Sequence, residues 1–158
     1  VPANNLPAND GSIRQIGQTC VFYTIAAGLN YRGKQIDGAT VLDRFKINGK
    51  VINDYQETMI LNGGLPNSLL GSAYDQYFTG SFGSTWSGYM NLMLGNPLLG
   101  TYQVTQQMSH DVFVTGVSYF PSGPNAGYNF AFWNPATGFY GVAPMTAFYH
   151  LYSVTMAK

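Results

Sequence analysis

The residue pattern changes period once, around Gly95-Asn96-Pro97, and no other feature of the 158 residues constrains the fold as much. Ahead of it apolar residues recur at helical spacing. Beyond it they alternate with polar residues or run in β-branched and aromatic stretches. From Thr19 the residues Cys20, Tyr23, Thr24 and Ala27 form one stripe, Val21, Ile25 and Leu29 fill the next, and the segment stops at Arg32-Gly33. A helix apolar on nearly all sides is a buried one. Thr19 is placed to cap it with its hydroxyl. Shorter helices are expected over 40–45, 54–61, 68–78 and 84–94.

Beyond Pro97, residues 98–104 alternate, and Val112–Tyr119 is β-branched and aromatic. Pro121–Gly127 has the residues of a hairpin loop and Tyr128–Trp133 reads as the returning strand. Asn134–Gly138 is a tight turn, Phe139–Val142 begins another strand, 144–149 fits one helical turn, and 150–156 a last strand. Helices first and an antiparallel sheet second define an α+β fold. Residues 1–14, with their Pro, Asn and Asp-Gly, read as an extended lead-in or propeptide remnant. Residues 15–158 then form a single domain, as the length allows.

Charge narrows the partners. Seven Lys and Arg balance seven Asp and Glu, only 9% of residues are charged, and 46% are hydrophobic. A nucleic-acid binder needs a basic face to displace counterions from phosphates, and none is available. No apolar run approaches the roughly 20 residues that span a bilayer, so membrane insertion is not expected. A lone cysteine forms no internal disulfide, and no Cys/His cluster has zinc spacing, so neither metal nor cofactor is expected. Few charges with much Asn, Thr, Tyr and Gly suit a secreted bacterial protein.

The one thiol opens the first long helix, where orphan amides and the helix dipole favour thiolate over thiol. Taken alone, a single cysteine is more often a small buried hydrophobe. His110 stands at the start of the strand run, and Asn134 ends the strand that returns after the hairpin. An amide oxygen there can accept the imidazole N–H and fix its tautomer. Asp111 should point away from His110 if both lie in one strand, so it is a poor orienter. His150 reads as structural or exposed. Ahead of the thiol, a Gln side chain together with the Cys20 amide would supply two donors for an oxyanion. The glycines at 63–64 and 80–83 lack the Lys and the strand–loop–helix setting of a phosphate loop.

These residues resemble the papain-like cysteine peptidases, particularly the compact bacterial branch of bacteriocin-leader peptidases and papain-like effector proteases. The likeness rests on Gln followed closely by Cys20-Val-Phe-Tyr at a helix start, and on Gly95-Asn-Pro-Leu-Leu followed by His110-Asp-Val-Phe-Val-Thr-Gly116. Trp133-Asn-Pro-Ala-Thr-Gly138, followed by a short apolar helix containing Phe148, completes it. The resemblance implies a papain-like fold, with the Cys-bearing helix packed on the sheet. It also implies Cys20 as nucleophile, His110 as general base and acid, Asn134 as orienter, and Gln15 (alternatively Gln18) at the oxyanion hole. The substrate would be a peptide or protein, hydrolysed through an acyl-enzyme. Two readings from the same residues compete with peptide hydrolysis: a peptidoglycan amidase or protein deamidase or transglutaminase using the same triad, and a catalytically silent papain-like binding module.

Overall fold

The computed structural model describes residues 1–3, 5–17, 19–44, 46–47, 50–51, 74, 76–79 and 85–156. The helix expected over 54–61, most of that over 68–78, Gln18 and the glycines at 63–64 and 80–83 lie outside the described residues. Among the described residues the order is α1 (Cys20–Tyr31), α2 (Gly38–Arg44), a small antiparallel pair β1 (Lys46–Ile47) and β2 (Lys50–Val51), β3 (Phe78–Thr79) and α3 (Thr85–Met93). There follow β4 (Leu98–Gln103), β5 (Ser109–Phe120), β6 (Gly127–Asn134), β7 (Phe139–Pro144), a 3₁₀ turn (Met145–Ala147) and β8 (Phe148–Val154). The fold is α+β, with the Cys-bearing helix packed on the antiparallel sheet. Two local expectations differ: Phe78 lies on a strand, and Phe148 opens β8 because the helical turn ends at Ala147. None of the helices among the described residues is long and apolar enough to cross a membrane.

Two helices end by the same device. After α1, Gly33 takes φ +87°, its N–H reaches Asn30 O, and the Lys34 N–H reaches back to Leu29 O at 2.9 Å. After α3, Gly95 takes φ +86°, with Gly95 N–H to Leu92 O and Asn96 N–H to Asn91 O. A left-handed residue that turns the chain back on its last carbonyls favours glycine, which has no Cβ to clash. The start of α1 departs from expectation. The Thr19 side chain makes no capping bond, because its hydroxyl donates instead to Ile16 O at 2.8 Å. Helix α2 carries the cap that α1 lacks: Asp37 Oδ1 accepts the Thr40 N–H at 2.7 Å, and hydrogen bonding from the Thr40 side chain, with this N–H, holds the carboxyl below its usual range.

The main sheet has six antiparallel strands in the order β3-β8-β4-β5-β6-β7. Only three residues connect β7, at one edge, to β8 on the far side of β4. Such a link spans at most about 14 Å of extended chain, whereas four flat strand spacings need about 19 Å. The sheet is therefore rolled, and register shifts at Thr101/Tyr102 and Val114/Gly116 mark where the ladder bends. Rolling divides the core in two. Inside lie Leu98, Val112, Val114, Phe130, Phe132, Phe148 and Leu151, with Leu92 of α3. Outside, Val21, Phe22, Ile25 and Leu29 of α1 cover Leu99, Phe113, Trp133 and Tyr152. Gly88 lets α3 come close, since a Cβ there would stand 2.9 Å from Leu151.

The segment 1–14, expected as an extended lead-in or propeptide remnant, is hydrogen-bonded to the sheet. Val1 N donates to Thr115 O at 2.9 Å and Tyr140 Oη to Pro7 O at 2.8 Å, while Asn9 Oδ1 accepts the Tyr140 N–H. Gly11 N–H reaches Gly138 O, and a Cβ on Gly138 would lie 2.6 Å from Gly11 Cα. Contact that close admits no side chain.

Candidate active site

The ladder between β5 and β6 ends at the pair Phe113↔Trp133. Past it, at the rim of the roll, β5 starts and β6 stops, and two sequence-predicted residues meet there. His110 Nε2 lies 2.7 Å from Asn134 Oδ1. A carbonyl oxygen can only accept, so the proton sits on Nε2 and the lone pair on Nδ1. Asn134 is itself fixed, its Oδ1 also accepting the Ala136 N–H at 2.9 Å in the turn that Pro135 initiates. Tyr102, opposite His110 in the β4–β5 ladder, lays its ring edge to face against the imidazole at 6.0 Å. Tyr102 also packs on Phe132 and Phe148, and burial raises its pKa.

Cys20 opens α1 at this same rim but meets the next residue of β5. Its thiol donates to Asp111 Oδ2 at 3.9 Å, and Asp111 Oδ1 accepts the Thr101 hydroxyl from the facing strand. Successive strand residues point to opposite faces. His110 shares its face with Val112 and Val114 inside the roll, and Asp111 shares its face with Phe113 beneath α1. The structure thus brings His110 to Asn134 and Cys20 to Asp111, as two adjoining pairs. Asp111 does not orient the imidazole; its role as partner of the thiol is the functional contact that reading the sequence missed. The same alternation that turns Asp111 from His110 turns it toward the helix, and that was the available signal.

Gln15 is tied to the site through its backbone, with its N–H donating to Pro135 O at 2.7 Å, one residue past Asn134. Its side-chain Nε2 donates to Gly17 O at 2.7 Å, and its buried Oε1 has no hydrogen-bond partner among the described residues. The amide expected at an oxyanion is thus engaged with the loop that carries it, while Gln18 lies outside the described residues. His150 stands on β8 opposite Thr101, with its ring 4.9 Å from that of Tyr149. Among the described residues no group of three or more His, Cys, Asp or Glu side chains is placed to hold a metal ion.

The chemistry open to this rim is proton transfer at an oriented imidazole on the inner face; the thiol at the helix start meets Asp111 on the outer face and makes no hydrogen-bond contact with His110. No protein-family model matches the chain, and no curated protein is similar to it in sequence.

Proposed function

We propose that the chain is a papain-like cysteine peptidase working outside the cytoplasm, with Cys20 as nucleophile, His110 as base and acid, and Asn134 as orienter. The observation that carries this reading is the 2.7 Å contact of His110 Nε2 with Asn134 Oδ1, which leaves Nδ1 as the basic nitrogen. In the resting arrangement the thiol proton is directed to Asp111; in the reacting one Sγ turns to His110 and gives its proton to Nδ1, leaving a thiolate beside an imidazolium. The thiolate then attacks a peptide carbonyl, and the imidazolium gives its proton to the departing amine. Water, deprotonated by the same Nδ1, releases the acyl group. The first-turn amides of α1 lie beside the developing oxyanion.

A second reading has its own observation. The thiol meets Asp111 on the face opposite His110, as a silent module that kept the fold would show. Iodoacetamide labelling from pH 5 to 8 separates the two. For a peptidase, Cys20 is modified rapidly at mildly acidic pH, and His110→Ala loses that reactivity. Labelling only after denaturation would discard the enzyme reading. Digestion of casein against release from purified cell walls, with Cys20→Ala as control, distinguishes peptide hydrolysis from amidase action.

A further inference from the structure

Far from this rim the surface carries side chains that proteins seldom leave in water. Trp86 and Tyr89 of α3 meet Tyr128 of β6 edge to face, the three ring centroids 5.4 to 6.2 Å apart. Tyr128 packs in turn on Tyr119 of β5 at 5.0 Å. Trp86, Tyr119 and Tyr128 nonetheless stay 55%, 61% and 45% exposed, whereas Trp133 is 1% exposed. Tyr119 follows His110 by nine residues on the same strand, about 30 Å away. The patch therefore belongs to another site. Contiguous exposed apolar surface of this kind marks a place where something binds.

Charge decides what. Residues 76–157 contain a single Asp, Glu, Lys or Arg, Asp111, and Asp111 lies at the other end of β5 beside Cys20. Among the described residues the elements that build the patch have no charged side chain near it, and the Val1 ammonium is engaged at Thr115 O, four residues before Tyr119. A protein partner brings a surface roughly 25–35% charged, and those charges would be desolvated here with nothing to pair with. A polyhydroxylated neutral chain carries no such cost. Its rings offer apolar C–H faces to aromatic planes and hydroxyls to the tyrosine oxygens. Contacts among the four rings, edge to face for Trp86, Tyr89 and Tyr128 and tilted for Tyr119, already fix them, so little side-chain freedom remains to be lost on binding.

We propose that the Trp86–Tyr89–Tyr119–Tyr128 face binds an uncharged polysaccharide, whose sugar rings stack on Trp86, Tyr128 and Tyr119. The site is independent of the peptidase reading. It would anchor the chain to a solid glycan while the far rim of the sheet remains open.

Co-sedimentation of the full chain with insoluble cellulose, chitin and starch tests this. Retention is expected on at least one, undiminished at about 1 M salt, where charge attraction is screened within about 3 Å. Trp86→Ala and Tyr119→Ala each weaken retention about tenfold or more without changing the circular dichroism spectrum, and Cys20→Ser retains full binding. A soluble hexasaccharide of the retained sugar shifts the tryptophan emission, and Trp86→Phe removes the shift. Absence of retention on all three solids overturns the proposal, as does retention that neither aromatic substitution reduces. A concentration-dependent dimer in sedimentation, abolished by Trp86→Ala, would assign the face to a second copy and equally overturn it.

Discussion

His110 and Asp111 are consecutive residues, yet they belong to different neighbourhoods. His110 lies on the inner face of the rolled sheet with Asn134 and Tyr102, and Asp111 on the outer face with Thr101 and the Cys20 thiol. Both neighbourhoods sit at one rim, where the β5–β6 ladder has run out. Here β6 no longer flanks β5, although β4 still pairs with it through Gln103↔Ser109. One face offers an oriented base, the other a carboxylate that opposes ionisation of the thiol beside it. Which face governs the thiol is the question that substitutions can settle.

The largest effect is expected from the inner face. His110→Ala should lower the rate of thiol alkylation at pH 6, and of peptide hydrolysis, about 10³-fold, the scale of a lost general base. Asn134→Ala leaves a base without its fixed tautomer, so the loss should be smaller. Unchanged alkylation in His110→Ala would show that the outer face alone controls Cys20 and would remove the nucleophile from the mechanism.

Next comes the packing that holds the two faces apart. Phe113 is fully buried beneath α1, with its ring 6.4 Å from that of Tyr31. Phe113→Ala should cost about 3–5 kcal/mol in urea unfolding, as large core truncations do. It should also loosen the helix that delivers Cys20. Phe130, equally buried on the inner face, should cost a similar amount when truncated yet leave thiol reactivity less affected. Equal effects on the thiol would mean that the two cores respond as one.

A smaller and opposite change is expected from Asp111→Asn. Removing the carboxylate's charge beside the thiol while keeping its shape should raise alkylation at neutral pH a few-fold, because thiolate formation is no longer opposed. A fall in rate would instead make Asp111 the base of the thiol and reverse the assignment of the two faces.

Much of this arrangement could be read from the residues, because local signals dominate where the chain is regular. The change of period at Pro97, the left-handed glycines at Gly33 and Gly95, and the strand alternation located α1, α3 and the sheet. Asn134 beside His110 followed from the hairpin returning one strand past the other. Contacts set by tertiary packing did not show. Turn-forming residues in 1–14 suggested an extended lead-in, and nothing in them showed that backbone bonds from Gly11, and from Gln15 just after it, would tie the chain to the 134–138 turn. Thr19 resembled a cap in sequence and spends its hydroxyl on Ile16 O instead. Low charge was visible as a total, yet its near-confinement to residues 1–75 and the C-terminal Lys158, with Asp111 as the exception, gains meaning only once the uncharged half is seen to form the sheet.

The gentlest test compares two tyrosines, one on each face. Tyr140 packs on the outer core, donates to Pro7 O at 2.8 Å, and is pushed up to about 12 by burial; Tyr102 is raised by burial within the roll. In the unfolded chain both ionise near pH 10. Below that pH both states keep the proton and stability does not depend on either group. Above it the unfolded chain loses protons that the folded one retains, so stability falls from about pH 10 until the folded Tyr140 itself ionises near 12. Tyr140→Phe should flatten that fall and, at neutral pH, cost about 1 kcal/mol for the lost hydrogen bond. Tyr102→Phe should flatten it too, without loosening the N-terminal strap. Urea unfolding at pH 9, 10 and 11 measures both slopes. If Tyr140→Phe keeps the wild-type slope, the strap does not shield the outer face, and the alkaline sensitivity belongs to the inner face alone.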